Sequence, residues 1–259
     1  MTRRWDAGTI LGLLLGFAVV FGSFALEGGT VRALILGPAL LIVFGGTVAA
    51  AMVGTSVSAV GNVGRMIVLA MRPPVQDVRS TIDTMVQLAT IARKEGLFAL
   101  EKYVDTVAHP FAQRLLRLII DGIDPQGLRS IAETELHYIG ERHEKNAAVF
   151  YKMGGYSPTM GIIGTVMALI ATLASAGDEP EMLIRHIAGA FIATLWGVLM
   201  ANIVWLPLYD KLKRIHDEEH HHLDVALEGV LGIQAGEVPS VIRAKLEGML
   251  PVQTNKGRE

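Results

Sequence analysis

The chain has 259 residues, of which 51% are hydrophobic, with 23 basic and 25 acidic residues. Uncharged apolar runs at this composition indicate a membrane protein rather than a soluble domain. The net charge of −2 gives no sign of nucleic-acid binding, and the absence of cysteine excludes disulfide bonds and thiolate chemistry.

Two apolar runs near the N-terminus, at about 8–26 and 34–53, are separated by a short link. A bilayer core about 30 Å thick needs roughly 20 helical residues, so each run is long enough to cross it. A signal peptide would be shorter and would not be followed at once by a second span. We therefore predict an N-terminal transmembrane hairpin over residues 1–53.

The next block, residues 54–150, carries balanced charges and apolar residues at helical spacing, such as Ile82, Val86 and Ala89. It has no glycine-rich phosphate loop and no strand-like alternation. Turns rich in proline and glycine divide it into several segments. We predict a helical cytoplasmic loop domain here, and further cytoplasmic helices over 209–259.

Two more uncharged spans, at about 154–176 and 187–208, form a predicted channel-lining hairpin over residues 151–208. Basic residues flank one end of each span, whereas the short loops between paired spans are poor in them. The positive-inside rule then places both termini and the large loop in the cytoplasm. The predicted fold class is all-α: a polytopic membrane protein with four transmembrane helices and a helical cytoplasmic domain.

Small residues line one face of each span in this hairpin. Their positions recur every three or four residues: Gly161, Thr165, Ala168, Thr172 and Ser175 in one span, and Ala190, Thr194, Gly197 and Ala201 in the other. Such stripes are typical of close helix packing, and threonine oxygens can also border an ion path. Neither span contains Asp, Glu, Lys, Arg or His. If the protein conducts ions, another subunit must therefore supply the carboxylate.

Two prolines, Pro158 and Pro207, lie near the cytoplasmic ends of the third and fourth spans. In one interpretation each proline has only a local effect. Pro158 lies in a first helical turn, where a proline is tolerated, and Pro207 bends the end of a helix. In the other they are paired hinges at one membrane depth, which couple the spans to the cytoplasmic domain. The residues alone leave both interpretations open.

The segment His216–His222 reads HDEEHHH and has the appearance of a metal site. His216 and His220 are four residues apart, but Asp217 stands where the zincin motif H-E-x-x-H has Glu. A charged cytoplasmic helix is the simpler interpretation, and a membrane metallohydrolase is the alternative from a different class. We predict no enzyme activity, no cofactor and no metal site.

Three segments resemble the MotA/PomA flagellar stator proteins: GGYSPTMGIIGTVMALI in the third span, ATLWGVLMAN in the fourth, and IARKEGLFALE in the loop. The resemblance covers nearly the whole chain. The piece GIIGTV is shared with the wider ExbB and TolQ group, whose members usually have three spans, so the early hairpin favours the MotA type. An ExbB/TolQ-type channel that energises an outer-membrane process is the alternative, and a scaffold without ion flow is a third.

The resemblance implies a subunit of a homo-oligomeric ring, a pentamer, in the lipid of the bacterial inner membrane. The ring surrounds a MotB-like single-span partner that carries the ion-binding Asp. This Asp would be the carboxylate that the spans of this chain lack. Ion flow drives the ring around this partner, and the cytoplasmic loop pushes on the rotor protein FliG.

Four charged residues of the loop correspond to the family's rotor contacts. Arg93 and Glu101 stand eight residues apart, as the family's rotor-contacting Arg and Glu do, and Lys94 and Glu95 are neighbouring charges that help them. On a regular helix Arg93 and Glu101 would lie near one side, with Gly96 as a point of interruption. Without the resemblance, the same charges indicate a solvated helix face.

Within the spans, the resemblance assigns Thr165 and Thr194 to the ion path and Pro158 and Pro207 to the family's two prolines. Sodium-type members have two adjacent threonines in the fourth span, whereas here Ala193 precedes Thr194. A dehydrated Na⁺ would need the missing hydroxyl as a ligand, but a proton can reach the partner's Asp without it. We therefore predict H⁺ rather than Na⁺ as the coupling ion.

Overall fold

The computed structural model describes residues 4–174 and 180–250, and within these residues it contains helices and no strand. The α-helices are α1 (Ala7–Leu26), α2 (Gly37–Leu40), α3 (Gly46–Gly54), α4 (Val57–Gly61), α5 (Val63–Met71), α6 (Val78–Glu95), α7 (Pro110–Ile120), α8 (Pro125–Ala174), α9 (Pro180–Leu199), α10 (Leu206–Gln234) and α11 (Pro239–Gly248). Short 3₁₀ segments cover Val31–Leu34, Leu97–Lys102 and Val104–Thr106, and π-helical turns cover Leu41–Gly45 and Met200–Trp205. The predicted all-α fold class is confirmed.

In the described part of the chain, four helical segments are long and apolar enough to cross a membrane, which is the predicted number: Ala7–Leu26, Gly37–Gly54, Pro125–Ala174 and Glu181–Gln234. The last two have 50 and 54 residues, so they contain the third and fourth predicted spans but extend well beyond them. Their polar ends remain helical because a helix tolerates a change from apolar to charged side chains without a break.

Several sequence-based predictions fall on residues that the structure does not describe. Ser175 and residue 176, at the end of the third predicted span, lie outside the described residues, as do residues 177–179 of the following loop. The same is true of residues 1–3 and 251–259.

The described chain divides into two compact units. The unit formed by 75–141 and 216–250 is called here the bundle unit, and the unit formed by 4–74, 142–174 and 180–215 is called the span unit. The block 54–150 that the sequence delimits is therefore split, because its first and last residues pack with the spans.

The bundle unit is built from α6, α7, the first part of α8, the last part of α10, and α11. Helix α6 begins where the Asp77 carboxylate accepts a hydrogen bond from the Ser80 N–H at 3.0 Å, which satisfies a free donor of the first turn. Its apolar side chains point into one core, which is shared with the other helices and includes Ile82, Met85, Leu88, Phe111, Leu115, Leu116, Leu223, Ile242 and Leu246.

The span unit holds the apolar parts of the four candidate spans. No residue of α1 is buried, and large side chains such as Leu14, Leu15 and Val19 are exposed, as expected of a helix whose outer face meets lipid or another chain. The indole N–H of Trp196 in α9 donates to the backbone oxygen of Leu34 at 2.8 Å, which ties the fourth span to the start of the second.

Candidate ion path and charged loop

Thr165 of α8 and Thr194 of α9 face each other, and their hydroxyl oxygens are 2.5 Å apart. The Thr165 oxygen also lies 3.1 Å from the Gly161 carbonyl oxygen and 3.0 Å from that of Ala190. The Thr194 oxygen lies 3.5 Å from the same Ala190 oxygen. The sequence-predicted pair is therefore brought together as one polar cluster inside an otherwise apolar hairpin.

Each hydroxyl of this pair has a single proton, so the two donors must share the available acceptors. Either Thr165 donates to Thr194 and Thr194 donates to Ala190, or Thr194 donates to Thr165 and Thr165 donates to a carbonyl. The two arrangements differ only in the rotation of two O–H bonds. The pair can therefore present lone pairs to a neighbouring water or cation without breaking backbone hydrogen bonds.

Two glycines allow α8 and α9 to approach closely at this level. A Cβ added to Gly161 would lie 2.8 Å from the Ala193 carbonyl oxygen, and one added to Gly197 would lie 2.7 Å from the Ser157 carbonyl oxygen. These obstacles are backbone atoms, which cannot rotate out of the way. The small-residue stripes are thus a helix contact, and the threonine pair lies along that contact.

Ala193 lies on the other side of the same contact and is 1% exposed. It borders a mainly apolar cavity of about 700 Å³, which is also lined by Ile42 of the second span, Gly164 and Ala168 of the third, and Arg185. The Ala193 Cβ itself is closely packed, because a Cβ added to Gly164 would lie 2.8 Å from it.

Both prolines lie inside long helical stretches rather than in a first turn that begins a helix. Pro158 is in the interior of α8, which begins at Pro125, so the interpretation that placed it in a first turn is wrong. Pro207 is the second residue of α10 and follows the π-helical turn Met200–Trp205 directly. A proline ring crowds the carbonyl four residues earlier, and a wide turn relieves this crowding.

The charged loop residues are exposed, and they do not share one regular helix. Arg93, Lys94 and Glu95 end α6, and Gly96 follows with φ +86° and ψ 166°, a conformation reserved almost entirely for glycine. Glu101 then belongs to the 3₁₀ segment Leu97–Lys102. None of the four charged side chains has an ion-pair partner among the residues that the structure describes, so their charges are available to another molecule.

The profile of the MotA/TolQ/ExbB proton channel family matches residues 103–225, and that of the Motility protein A N-terminal family matches residues 10–96. The chain is 32% identical to Motility protein A of Bacillus subtilis, over 96% of this chain and 92% of that protein. It is also 31% identical to Chemotaxis protein PomA of Vibrio alginolyticus, over 95% of each chain. The chain belongs to the motility protein A family. The resemblance read from its motifs is confirmed.

Solved structures of motility protein A assemblies have the same fold. The match to the structure of C. jejuni MotAB has a TM-score of 0.89 at 27% identity and covers 98% of this chain and 99% of that one. The match to the flagellar MotAB stator complex from Bacillus subtilis has a TM-score of 0.87 at 32% identity and covers 95% and 96%. The ExbB/TolQ-type alternative is therefore not favoured.

The histidine-rich stretch of this motility protein A relative lies on α10. His220 Nδ1 is 2.9 Å from the Asp224 carboxylate, and the His216 and His220 rings are 6.0 Å apart. Within the described residues, no three His, Asp or Glu side chains converge as a metal site would require. The geometry gives the metallohydrolase interpretation no support.

Sequence reasoning missed two polar contacts of the span unit. The Lys211 ammonium donates to the Asp6 carboxylate, and the Lys152 ammonium donates to the Gly54 carbonyl. The sequence did contain a signal, since each of these charged residues stands at the boundary of an apolar span. A charged side chain in that position needs an opposite charge or a free carbonyl as its partner. Such a signal indicates that a partner exists but does not identify it.

Proposed function

We propose that the chain is the ring-forming stator subunit of a flagellar motor. With a MotB-like single-span partner it forms a proton channel, and it turns proton flow into torque on the rotor protein FliG. It acts as a channel subunit rather than as an enzyme, in a homo-oligomeric ring, a pentamer. The observation that carries this proposal is the nearly full-length match, in sequence and fold, to MotAB stator complexes.

The proposed topology has four spans in the bacterial inner membrane and both termini in the cytoplasm. The distribution of basic residues supports it, because Arg65 and Arg72 follow the second span and Lys211 and Lys213 follow the fourth. Cysteine-accessibility labelling tests it simply, since the chain contains no cysteine of its own. A cysteine at exposed Val238 should react only in permeabilised cells, whereas labelling in intact cells would contradict the topology.

In this proposal the partner supplies the titrating carboxylate, and this chain supplies the hydroxyls beside it. The apolar stretches 154–176 and 187–208 contain no acid or base, and the Thr165–Thr194 pair is polar at their contact. A proton moving to an Asp in low dielectric needs a nearby group to order water, and two adjacent hydroxyls meet that need.

Valine substitutions test the role of the threonine pair. Val has nearly the shape of Thr without its hydroxyl, so Thr165→Val and Thr194→Val should preserve the helix contact and reduce ion flow and swimming at least tenfold. Thr159→Val is the matched control, because Thr159 lies on the same helix and its exposed hydroxyl bonds only within its own turn. Normal swimming of both pair variants would contradict the assignment of these threonines.

The coupling ion is proposed to be H⁺, because Ala193 leaves the fourth span with a single threonine at this position. Swimming supported by this chain and its partner in a strain lacking its own stator should then continue in sodium-free medium. The substitution Ala193→Thr restores the second hydroxyl beside Thr194. Sodium-dependent swimming of the parent chain would overturn the proposal.

Pro158 and Pro207 are proposed as hinges, since each lies in a helix that continues from the span unit into the bundle unit. Replacing either with Ala restores a hydrogen bond and straightens the helix. We expect Pro158→Ala and Pro207→Ala to retain expression and ring assembly but to lose torque. Pro38→Ala, near the start of the second span, is the control.

The charged loop is proposed as the rotor contact. Reversal of Arg93 and Glu101 together should impair swimming while leaving ion flow intact, because both side chains are exposed and lie outside the spans. Glu133→Lys, also exposed in the bundle unit, is the control. Normal swimming after the double reversal would favour an ExbB/TolQ-type transducer without a rotor contact. Lys94 and Glu95 are tested in the same way.

A further inference from the structure

A large aromatic side chain projects from the charged loop. Phe98 is 78% exposed, although exposed phenylalanine is costly in water. It belongs to the 3₁₀ segment Leu97–Lys102, in which side chains three residues apart lie directly above one another. Leu97 and Leu100 form the inward edge of this segment and pack on the core, and Phe98 and Glu101 form the outward edge.

Gly96 produces this outward orientation. Its positive φ ends α6 and starts the 3₁₀ segment with a new direction, so the segment can bury Leu100 completely while Phe98 faces solvent. If α6 continued as an α-helix through this segment, its side chains would repeat every 3.6 residues instead of every three. Leu97, Phe98 and Leu100 would then have different neighbours. The local fold thus places Leu97 and Leu100 against the core and Phe98 at the surface.

Charged side chains of both signs surround Phe98 along the chain. Arg93, Lys94 and Lys102 are positive, and Glu95 and Glu101 are negative. All five are exposed, and none has an ion-pair partner within the described part of the chain. Protein–protein contacts commonly combine a buried aromatic anchor with a polar, solvent-accessible rim, and this segment offers side chains of both kinds.

We infer that Phe98 is the apolar anchor of the rotor-facing surface, inserted into an apolar recess of the partner protein that is flanked by charges of both signs. The mixed signs favour a protein partner over an anionic lipid surface, which would attract a uniformly basic patch. The charges steer and align the encounter, whereas burial of the phenyl ring slows dissociation. This inference rests on the proposed stator function, and it adds a contact that does not depend on charge.

The test compares Phe98→Ala and Phe98→Leu with Tyr138→Ala in the complete stator with its MotB-like partner. Tyr138 is 61% exposed on α8 of the same unit and serves as the matched aromatic control. Affinity for purified FliG, ion flow and thermal unfolding are measured together. Phe98→Ala should weaken FliG binding at least tenfold, with ion flow and unfolding temperature unchanged, and Phe98→Leu should recover part of the affinity.

The salt dependence of binding separates the anchor from the charges. Loss of Phe98 should weaken binding by the same factor at low and high salt, whereas reversal of Arg93 should matter less at high salt. Equal FliG affinity of Phe98→Ala and the parent would overturn the inference and leave the stator proposal standing. Absence of FliG binding by a parent stator that conducts ions would overturn both. A change in ring size or in binding to anionic vesicles, with FliG affinity unchanged, would also overturn it.

Discussion

The Asp6 carboxylate accepts a hydrogen bond from the Lys211 ammonium and so joins the start of α1 to the first turns of α10. The same carboxylate caps α1 by accepting the Thr9 N–H at 2.8 Å, and the Asp6 N–H donates to the Met71 carbonyl at 2.8 Å. The two charged side chains are only 19% and 10% exposed. Three segments that are distant in sequence therefore meet at one acidic residue.

Asp6→Asn should destabilise the protein by about 1 to 2 kcal/mol, because Asn keeps the helix cap but leaves Lys211 without its counter-charge. Asp6→Ala also removes the cap and should cost about 1 kcal/mol more. Thermal unfolding of the detergent-solubilised protein measures both. Equal losses for the two variants would show that the cap contributes little, and an unchanged stability of Asp6→Asn would show that the ion pair contributes little.

The same ion pair predicts a stability change at acid pH. The hydrogen bond from Lys211, followed by that from Thr9, lowers the pKa of Asp6 from 3.8 to about 2. A lowered carboxylate pKa contributes stability that is complete above pH 3.8 and is lost as the pH falls through about 2. Asp6→Asn should remove this part of the acid transition, and an unchanged acid profile would contradict the pairing.

Gly161→Ala and Gly197→Ala should each weaken the threonine-bearing contact by about 1 to 3 kcal/mol, because each new methyl group meets backbone atoms. The matched control is Gly155→Ala on α8, where a Cβ meets nothing within 4 Å. It should be neutral or slightly stabilising, since alanine is the better helix former. Assembly and thermal unfolding in detergent check the series, and equal behaviour of all three variants would exclude close approach at the two glycines.

Gly96→Ala should destabilise the bundle unit by about 1 to 3 kcal/mol, because alanine rarely adopts its backbone conformation. It should also impair swimming more than stability alone explains, since the displaced segment carries Phe98 and Glu101. Gly248→Ala in the same unit has an ordinary backbone conformation and open space, and it serves as the control. If both variants swim and unfold alike, the strained turn has no role in presenting the loop.

His109 should make stability depend on pH in the mildly acid range. Its Nδ1 accepts the Phe111 N–H at 3.2 Å and caps α7, which requires a neutral acceptor nitrogen. Burial, followed by the neighbouring His222 and Arg114 charges, lowers the pKa of His109 from 6.5 to about 4, with Glu135 opposing them. Because the unfolded chain takes up the proton first, stability falls by at most about 1.4 kcal/mol per pH unit as the pH drops from 6.5 towards 4.

His109→Asn tests this dependence, because Asn can cap the helix without titrating. The loss of unfolding free energy between neutral pH and pH 4.5 should be smaller in this variant than in the parent. His137→Asn, at an exposed histidine of the same unit, is the matched control. An identical profile for His109→Asn would show that another group controls acid stability.

The number of spans could be predicted because apolar runs of this length have few other uses. The ends of the long helices could not be predicted, since a proline such as Pro158 is typical of a helix start, whereas α8 continues through it. Gly96 is an intermediate case. Its residue type indicated a break, but only the three-dimensional structure gives the 3₁₀ segment that turns Phe98 outward.

The sequence indicated which residues belong to the candidate ion path, but it did not indicate how they are arranged in space. Helical spacing identified Thr165 and Thr194 as members of two stripes, but spacing within one helix cannot show which residues of two helices meet. The contact of Asp6 with Lys211 joins residues 205 positions apart, and no local pattern encodes such a pairing. Tertiary packing decides both contacts.

The wide π-helical turn Met200–Trp205 sets the direction in which each later side chain of the same helix points. A π-helical turn accommodates one residue more than an α-helical turn, and one residue corresponds to a rotation of about 100°. If this turn became a regular α-helical turn with no residue removed, Lys211 would rotate by about 100° away from Asp6, although neither residue is altered. The width of one turn thus determines which way a distant charge points.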